Sequence, residues 1–208
     1  MNWLKDPTPA GLMMYLVILC IISAVVVVAV SPARADPIPP ATLPTDIDGE
    51  QGRTSQASRV EAMITSLVES CPRHPMNRSD WGAKMAEQIV TAASKYSIPV
   101  DLVTAISFRE SSLRWDVIGP GGEIGIMQVH PGTVRRFACD MSTVAGQVDC
   151  GCKVLAWHHD RCGSDWEAAL AAYGSRTAEC NPKAGSKLRR MVKDRFRLAA
   201  RLREVGAN

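Results

Sequence analysis

Glu110 is the residue best placed to do chemistry. Val103, Ile106 and Leu113 recur at helical spacing, and Glu110 lies on the same stripe, so one helix face reads 103, 106, 110, 113. Most helical glutamates are solvated, but this register turns Glu110 inward, toward apolar surroundings that disfavour ionisation of a carboxyl group. A carboxylic acid that keeps its proton near neutral pH is suited to protonating a glycosidic oxygen. Glu123 and Asp116 follow closely enough to act as the second carboxylate that hydrolysis by activated water would require. Of the histidines, His130 is not needed for cleavage of this kind, and His158 and His159 read as surface or packing residues. Trp115 is placed either to stack on a sugar face or to fill the core.

Residues 119 to 133, GPGGEIGIMQVHPGT, form a glycine-rich segment. Gly119, Gly121, Gly122, Gly125 and Gly132 allow backbone conformations closed to other residues and let a polymer approach the main chain. The Lys-Ser/Thr ending of a phosphate loop is missing. Ile124, Ile126, Met127 and Val129 are too apolar for a fully solvated turn, so the segment is expected to form a partly buried cleft wall.

Three ordered motifs then carry a resemblance. Arg109-Glu110-Ser111, Gly122-Glu123-Ile124-Gly125-Ile126-Met127-Gln128 and Ala171-Ala172-Tyr173 are similar to those of lytic transglycosylases with a soluble-transglycosylase, goose-lysozyme-like catalytic domain. Val148-x-x-Gly151-x-x-Val154-Leu155 resembles the helix between the second and third motifs. The likeness covers roughly Tyr96 to Ser175.

The resemblance implies cleavage of peptidoglycan between N-acetylmuramic acid and N-acetylglucosamine. Glu110 is the implied acid and base, closing a 1,6-anhydro ring without water, metal or cofactor. Ser111 and Gln128 match positions that line the glycan site, and Tyr173 matches a tyrosine that orients the acid. Met127 belongs to the same substrate-site set, by packing more than by contact. The sequence departs from the family at Gly174 and Gln147, where asparagines are usual, and at Glu123. Two other readings stay open: a hydrolytic muramidase using Glu123, and a non-catalytic glycan-binding or assembly protein, for which Gly174 is the best argument. Small stand-alone members of this type serve conjugation or secretion machines, which makes such a complex an expected partner.

These residues need a helical scaffold, and the pattern supplies one. Val60, Met63, Ile64, Leu67 and Val68 mark one helix, and Trp81, Met85, Ile89 and Ala92 a second. Pro99 opens a third, Val148 to His159 form a fourth, and Ser164 with Glu167 reads as a capping box starting a fifth. The expected fold is mainly α and lysozyme-like, with the glycine-rich loop lining a substrate cleft. Cys71, Cys139, Cys150, Cys152, Cys162 and Cys180 are an even six in this region, so three disulfides are expected. Zinc held by Cys150, Cys152, His158 and Cys162 is the weaker alternative, because C-x-C is not the usual knuckle spacing.

The ends of the chain bear on location. Gly11 to Val30 is uncharged throughout, about 30 Å as a helix, and Ala33-Arg34-Ala35 follows. Residues 1–35 therefore read as a cleaved secretory signal or a retained membrane anchor, with export to the periplasm in either case. Residues 36–55, with Pro37, Pro39, Pro40 and Pro44, read as a linker, and 56–208 as the domain. At its end a basic helix over about 183–205 carries nine cations against two acids. It is expected to pack on the domain with a solvated cationic face, or to dock on an anionic wall or membrane surface or a partner complex. The whole chain, at +3 with 46% hydrophobic and 22% charged residues, is not disordered overall, and an exported protein of this charge is no nucleic-acid binder.

Overall fold

The chain divides into two units, Met1–Asp36 and Pro37–Asn208. A computed structural model describes residues 50–70, 79–175, 179–183 and 186–206, all in the second unit. The expected signal or anchor and most of the expected linker lie outside the described residues. Among those described, no helix is long and apolar enough to cross a membrane.

The described residues are helical with no strand longer than an isolated bridge. In chain order the helices are α1 (Glu50–Glu69), α2 (Ser79–Lys95), α3 (Val100–Ser111), α4 (Pro131–Arg136), α5 (Val144–Arg161), α6 (Trp166–Tyr173) and α7 (Lys187–Val205). Helix α1 buries Val60, Met63, Ile64 and Leu67, as their spacing requires. It starts at Glu50, inside the expected linker. Its first turns are exposed and so leave no apolar signal, and the hydroxyls of Thr54 and Ser58 donate to carbonyls four residues back.

Helix α3 is the centre of the domain. Leu102, Val103, Ala105 and Ile106 are buried, and so are Asp101, Thr104 and Ser107, so almost every face is covered. α1, α2 and α7 pack on it. It ends in two consecutive left-handed residues, Ser112 (φ 55°) and Leu113 (φ 61°), with the Leu113 side chain fully buried. Helix α5 begins a turn before the apolar run because the Thr143 hydroxyl accepts from the Gly146 amide at 3.0 Å.

Two sequence expectations are corrected here. Helix α6 is capped by Asp165, whose Oδ1 accepts from the amides of Glu167 and Ala168 at 2.8 and 3.3 Å. Ser164 instead sits at φ 59° in the turn after Gly163, so the Ser164–Glu167 box does not form. The disulfides are Cys139–Cys150 and Cys162–Cys180, and Cys152 is a buried free thiol. Three bridges therefore cannot form within the six; Cys71 lies outside the described residues. With Cys150 and Cys162 oxidised, the zinc set is lost as well. Both bridges tie the loops flanking α5, and closing loops of this length contributes roughly 2–4 kcal/mol each.

Helix α7 is the basic tail, capped by Ser186. Its stripe buries Val192, Leu198, Ala199 and Leu202, with Leu188 and Met191 half-buried against the core. It runs antiparallel to α3, fixed by three ion pairs: Asp101–Arg203 at 2.7 Å, Arg109–Asp194 at 3.0 Å and Glu110–Arg195 at 2.7 Å. Part of the cationic charge thus serves docking inside the domain.

Candidate active site

Glu110 occupies the last turn of α3 and lines a groove of about 870 Å³, together with Glu123, Gln128, His130 and Tyr173. The inward register expected from the stripe is correct, but the surroundings are not simply apolar. The Arg195 Nη2 donates to Glu110 Oε1 at 2.7 Å, with side chains 8% and 20% exposed respectively. Arg195 Nη1 donates to the Met191 carbonyl, and its buried Nε has no partner among the described residues. A guanidinium is tolerated at such depth because a carboxylate faces it.

Arg195 is the site residue that sequence reasoning missed. It falls at 192, 195, 199, 202 on the apolar stripe of α7, just as Glu110 falls on that of α3. A charge of opposite sign on each of two apolar faces was the available signal.

The glycine-rich loop forms the wall opposite. Small bridges pair Ile118 with Ile124 and Ile124 with Val129, and Ile126 and Met127 are fully buried. Gln128 lines the groove at φ 50°, its Nε2 donating to the carbonyls of Gly125 (2.8 Å) and Val117 (3.2 Å). Gln147, the departure noted above, braces this loop from α5: its Oε1 accepts from the Ile126 amide and its Nε2 donates to the Met141 carbonyl.

Three expected substrate residues hold the loop instead of facing the groove freely. Ser111 is buried, its hydroxyl 2.8 Å from the Ile126 carbonyl, which fastens the loop to α3. The Met127 side chain is packed against Gly151 of α5, where a Cβ would meet its Sδ and lie 2.6 Å from its Cβ. Met127 is therefore packing and makes no glycan contact through its side chain. Tyr173 lines the groove, but its hydroxyl donates to the Met127 carbonyl at 2.7 Å, not to Glu110. Burial, then the nearby charge of Glu110, raises the Tyr173 pKa well above the ordinary value, so the phenol keeps the proton it donates.

Among the other candidates, Glu123 shares the groove with Glu110 while its Oε2 accepts from the Gly121 amide at 2.8 Å. Asp116 does not line it, and its pairing with Arg114 lowers the pKa of this exposed carboxyl. His130 caps α4, Nδ1 accepting from the Gly132 amide. His159 stacks on Trp166, with ring centroids 3.7 Å apart. Trp115 is 51% exposed, which excludes a core role, and lies off the groove.

Gly174 is where α7 crosses the groove. A Cβ there would collide with Met191 Cε and sit 3.3 Å from Leu188 Cδ1. The side chain missing at 174 is thus replaced in space by α7, the helix that delivers Arg195 to the acid.

With this geometry in place, the likeness to known proteins can be stated. Residues 87–189 match the family model described as Transglycosylase SLT domain. The fold is similar to that of an inactive mutant of lytic transglycosylase Slt from Pseudomonas aeruginosa, with a TM-score of 0.50 and 17% identity. The alignment covers 76% of this chain and 31% of that one, so the chain spans under a third of that protein. The helical domain is thus similar to a transglycosylase SLT domain over residues 87–189 and shares its fold with that lytic transglycosylase. Arg195 lies beyond the residues that the family match covers.

Proposed function

We propose that the protein cleaves the glycan of peptidoglycan between N-acetylmuramic acid and N-acetylglucosamine without water, leaving 1,6-anhydromuramyl ends. The observation that carries this reading is Glu110, anchored through Oε1 to Arg195 in a groove that Gln128 and its loop also line. Oε2 has no protein partner among the described residues and is the oxygen left to face the glycan. Protonated Glu110 gives its proton to the bridging oxygen as the C1–O bond breaks, leaving an oxocarbenium-like C1. The resulting carboxylate takes the C6 hydroxyl proton while the C6 oxygen attacks C1, closing the anhydro ring and restoring the acid. The Arg195 guanidinium faces the anion formed between these steps, where charge develops. Tyr173 acts one step back, by fixing the Met127 carbonyl and with it the loop.

The groove also holds Glu123, which favours a second reading, hydrolysis with Glu123 activating water. Product masses decide between the two. Sacculi digested with the full chain yield anhydro-muropeptides on the first reading and reducing muramyl ends on the second. Release no greater than from a Glu110→Gln chain leaves only a glycan-binding protein. A site of action in the cell envelope follows from the substrate. A local role in opening the wall for a conjugation or secretion apparatus rests on the resemblance to small stand-alone members of the family.

A further inference from the structure

The groove also carries a basic and aromatic cluster that bond cleavage does not use. Arg136, the last residue of α4, carries its guanidinium 4.6 Å over the Trp157 ring and 5.6 Å over Phe137. From the end of α5, Arg161 lies 5.3 Å over the same indole. Arg136, Phe137, Trp157 and His158 all line the groove. His158 is buried against Trp157 with Nδ1 unpartnered among the described residues. Burial, followed by the charges of Arg161 and Arg136, lowers its pKa to about 4, so the ring is neutral at neutral pH.

Among the described residues no carboxylate pairs with Arg136, and the two groove acids are engaged elsewhere, Glu110 by Arg195 and Glu123 by the Gly121 amide. A guanidinium held over an aromatic ring still has N–H groups to offer in the fork that matches a carboxylate. The groove thus holds a cation, Arg136, that no carboxylate among the described residues pairs with.

We propose that the Arg136–Trp157–His158 cluster is a carboxylate subsite that takes the acidic peptide stem borne by the muramyl sugar. The enzyme then selects strands whose stems are present and charged. This rests on the peptidoglycan reading above and deepens it. Arg136 forms the charged contact, Trp157 backs the guanidinium, and neutral His158 offers a polar edge without adding charge.

The test compares soluble peptide-bearing glycan strands with the same strands after their stem carboxylates are capped as methylamides. The full wild-type chain should cleave the charged strands with a kcat/KM about tenfold higher, carried by KM and weakened by salt. Arg136→Met and Arg136→Gln should bring the ratio of the two substrates close to one, with Arg136→Lys keeping part of it; unfolding curves check each variant. Equal treatment of both substrates by the wild type, or an undiminished ratio in the Met and Gln variants, overturns the subsite. Binding of fluorescent strands to the Glu110→Gln chain separates this from the cleavage proposal. A tenfold binding preference in a wild-type chain that releases no anhydro product would sink the cleavage reading and leave the subsite standing.

Discussion

The Glu110–Arg195 pair makes a prediction that runs against the common experience that removing a catalytic charge stabilises an enzyme. Its two side chains are 20% and 8% exposed and meet at 2.7 Å. Breaking a buried pair from one side costs about 3–5 kcal/mol. Glu110 borders the groove and keeps access to water, so Arg195→Met should fall below that range, at about 2–3 kcal/mol. Glu110→Gln keeps an acceptor for Nη2 but turns a charge-assisted bond into a neutral one beside a buried cation, about 1–2 kcal/mol. For a domain of this size those losses lower Tm by roughly 2–4 °C per kcal/mol. The double variant replaces both charges and should be less destabilised than the sum of the singles, by about 1–2 kcal/mol. Urea unfolding of the four proteins measures all of this. A Glu110→Gln midpoint equal to or above wild type, or strictly additive singles, would refute the view that the acid is held by an internal ion pair.

Other outcomes follow from the same contacts. His158 has a folded pKa near 4 against about 6.5 unfolded, so in that interval the unfolded chain binds more protons. Its contribution is intact above pH 6.5 and is lost as pH falls toward 4, by up to about 3 kcal/mol; His158→Gln should flatten that part of the stability–pH curve. Gly151→Ala drives a methyl to within 2.6 Å of the Met127 Cβ and should cost about 1–3 kcal/mol and slow cleavage by displacing the loop, read by unfolding and by product release. Cys152 is buried and its thiol pKa is raised by burial, so alkylation mapped by peptide mass should reach it only after unfolding. Mild labelling of Cys152 in the folded protein would contradict that packing. Replacing Cys162 and Cys180 together by Ser should lower stability by about 2–4 kcal/mol in the same urea assay.

Local pattern carried most of the fold and singled out Glu110 as the candidate acid. The stripes of α1, α2 and α3 repeat at 3.6-residue spacing, and Glu110 is visible because it interrupts one of them. Features that depend on which helix meets which were beyond that reach. Asp165 and Ser164 are both capping residues, and the left-handed turn at Gly163 and Ser164 decides between them. Cys152 sits one residue from a bridged cysteine yet points into the core, because α5 turns about 200° in two residues.

The loop-holding contacts of Ser111, Met127 and Tyr173 were out of reach of the sequence for a related reason. A motif marks positions around a site without saying whether a side chain meets substrate or holds the residue that does. In this domain all three fasten one loop, through Ile126 and Met127. Arg195 is the larger omission, since its partner is 85 residues away and pairing them requires α7 to lie antiparallel on α3. That placement also changes the meaning of Gly174. Read from sequence, a missing asparagine argued for a lost activity. In the structure, a side chain at 174 would occupy the space of Met191, one turn before Arg195 on the same helix. The empty position 174 and the guanidinium at Glu110 therefore face the same helix, and a side chain restored at 174 meets only the tips of Met191 and Leu188, which can swing aside, so the glycine by itself is no argument for a lost activity.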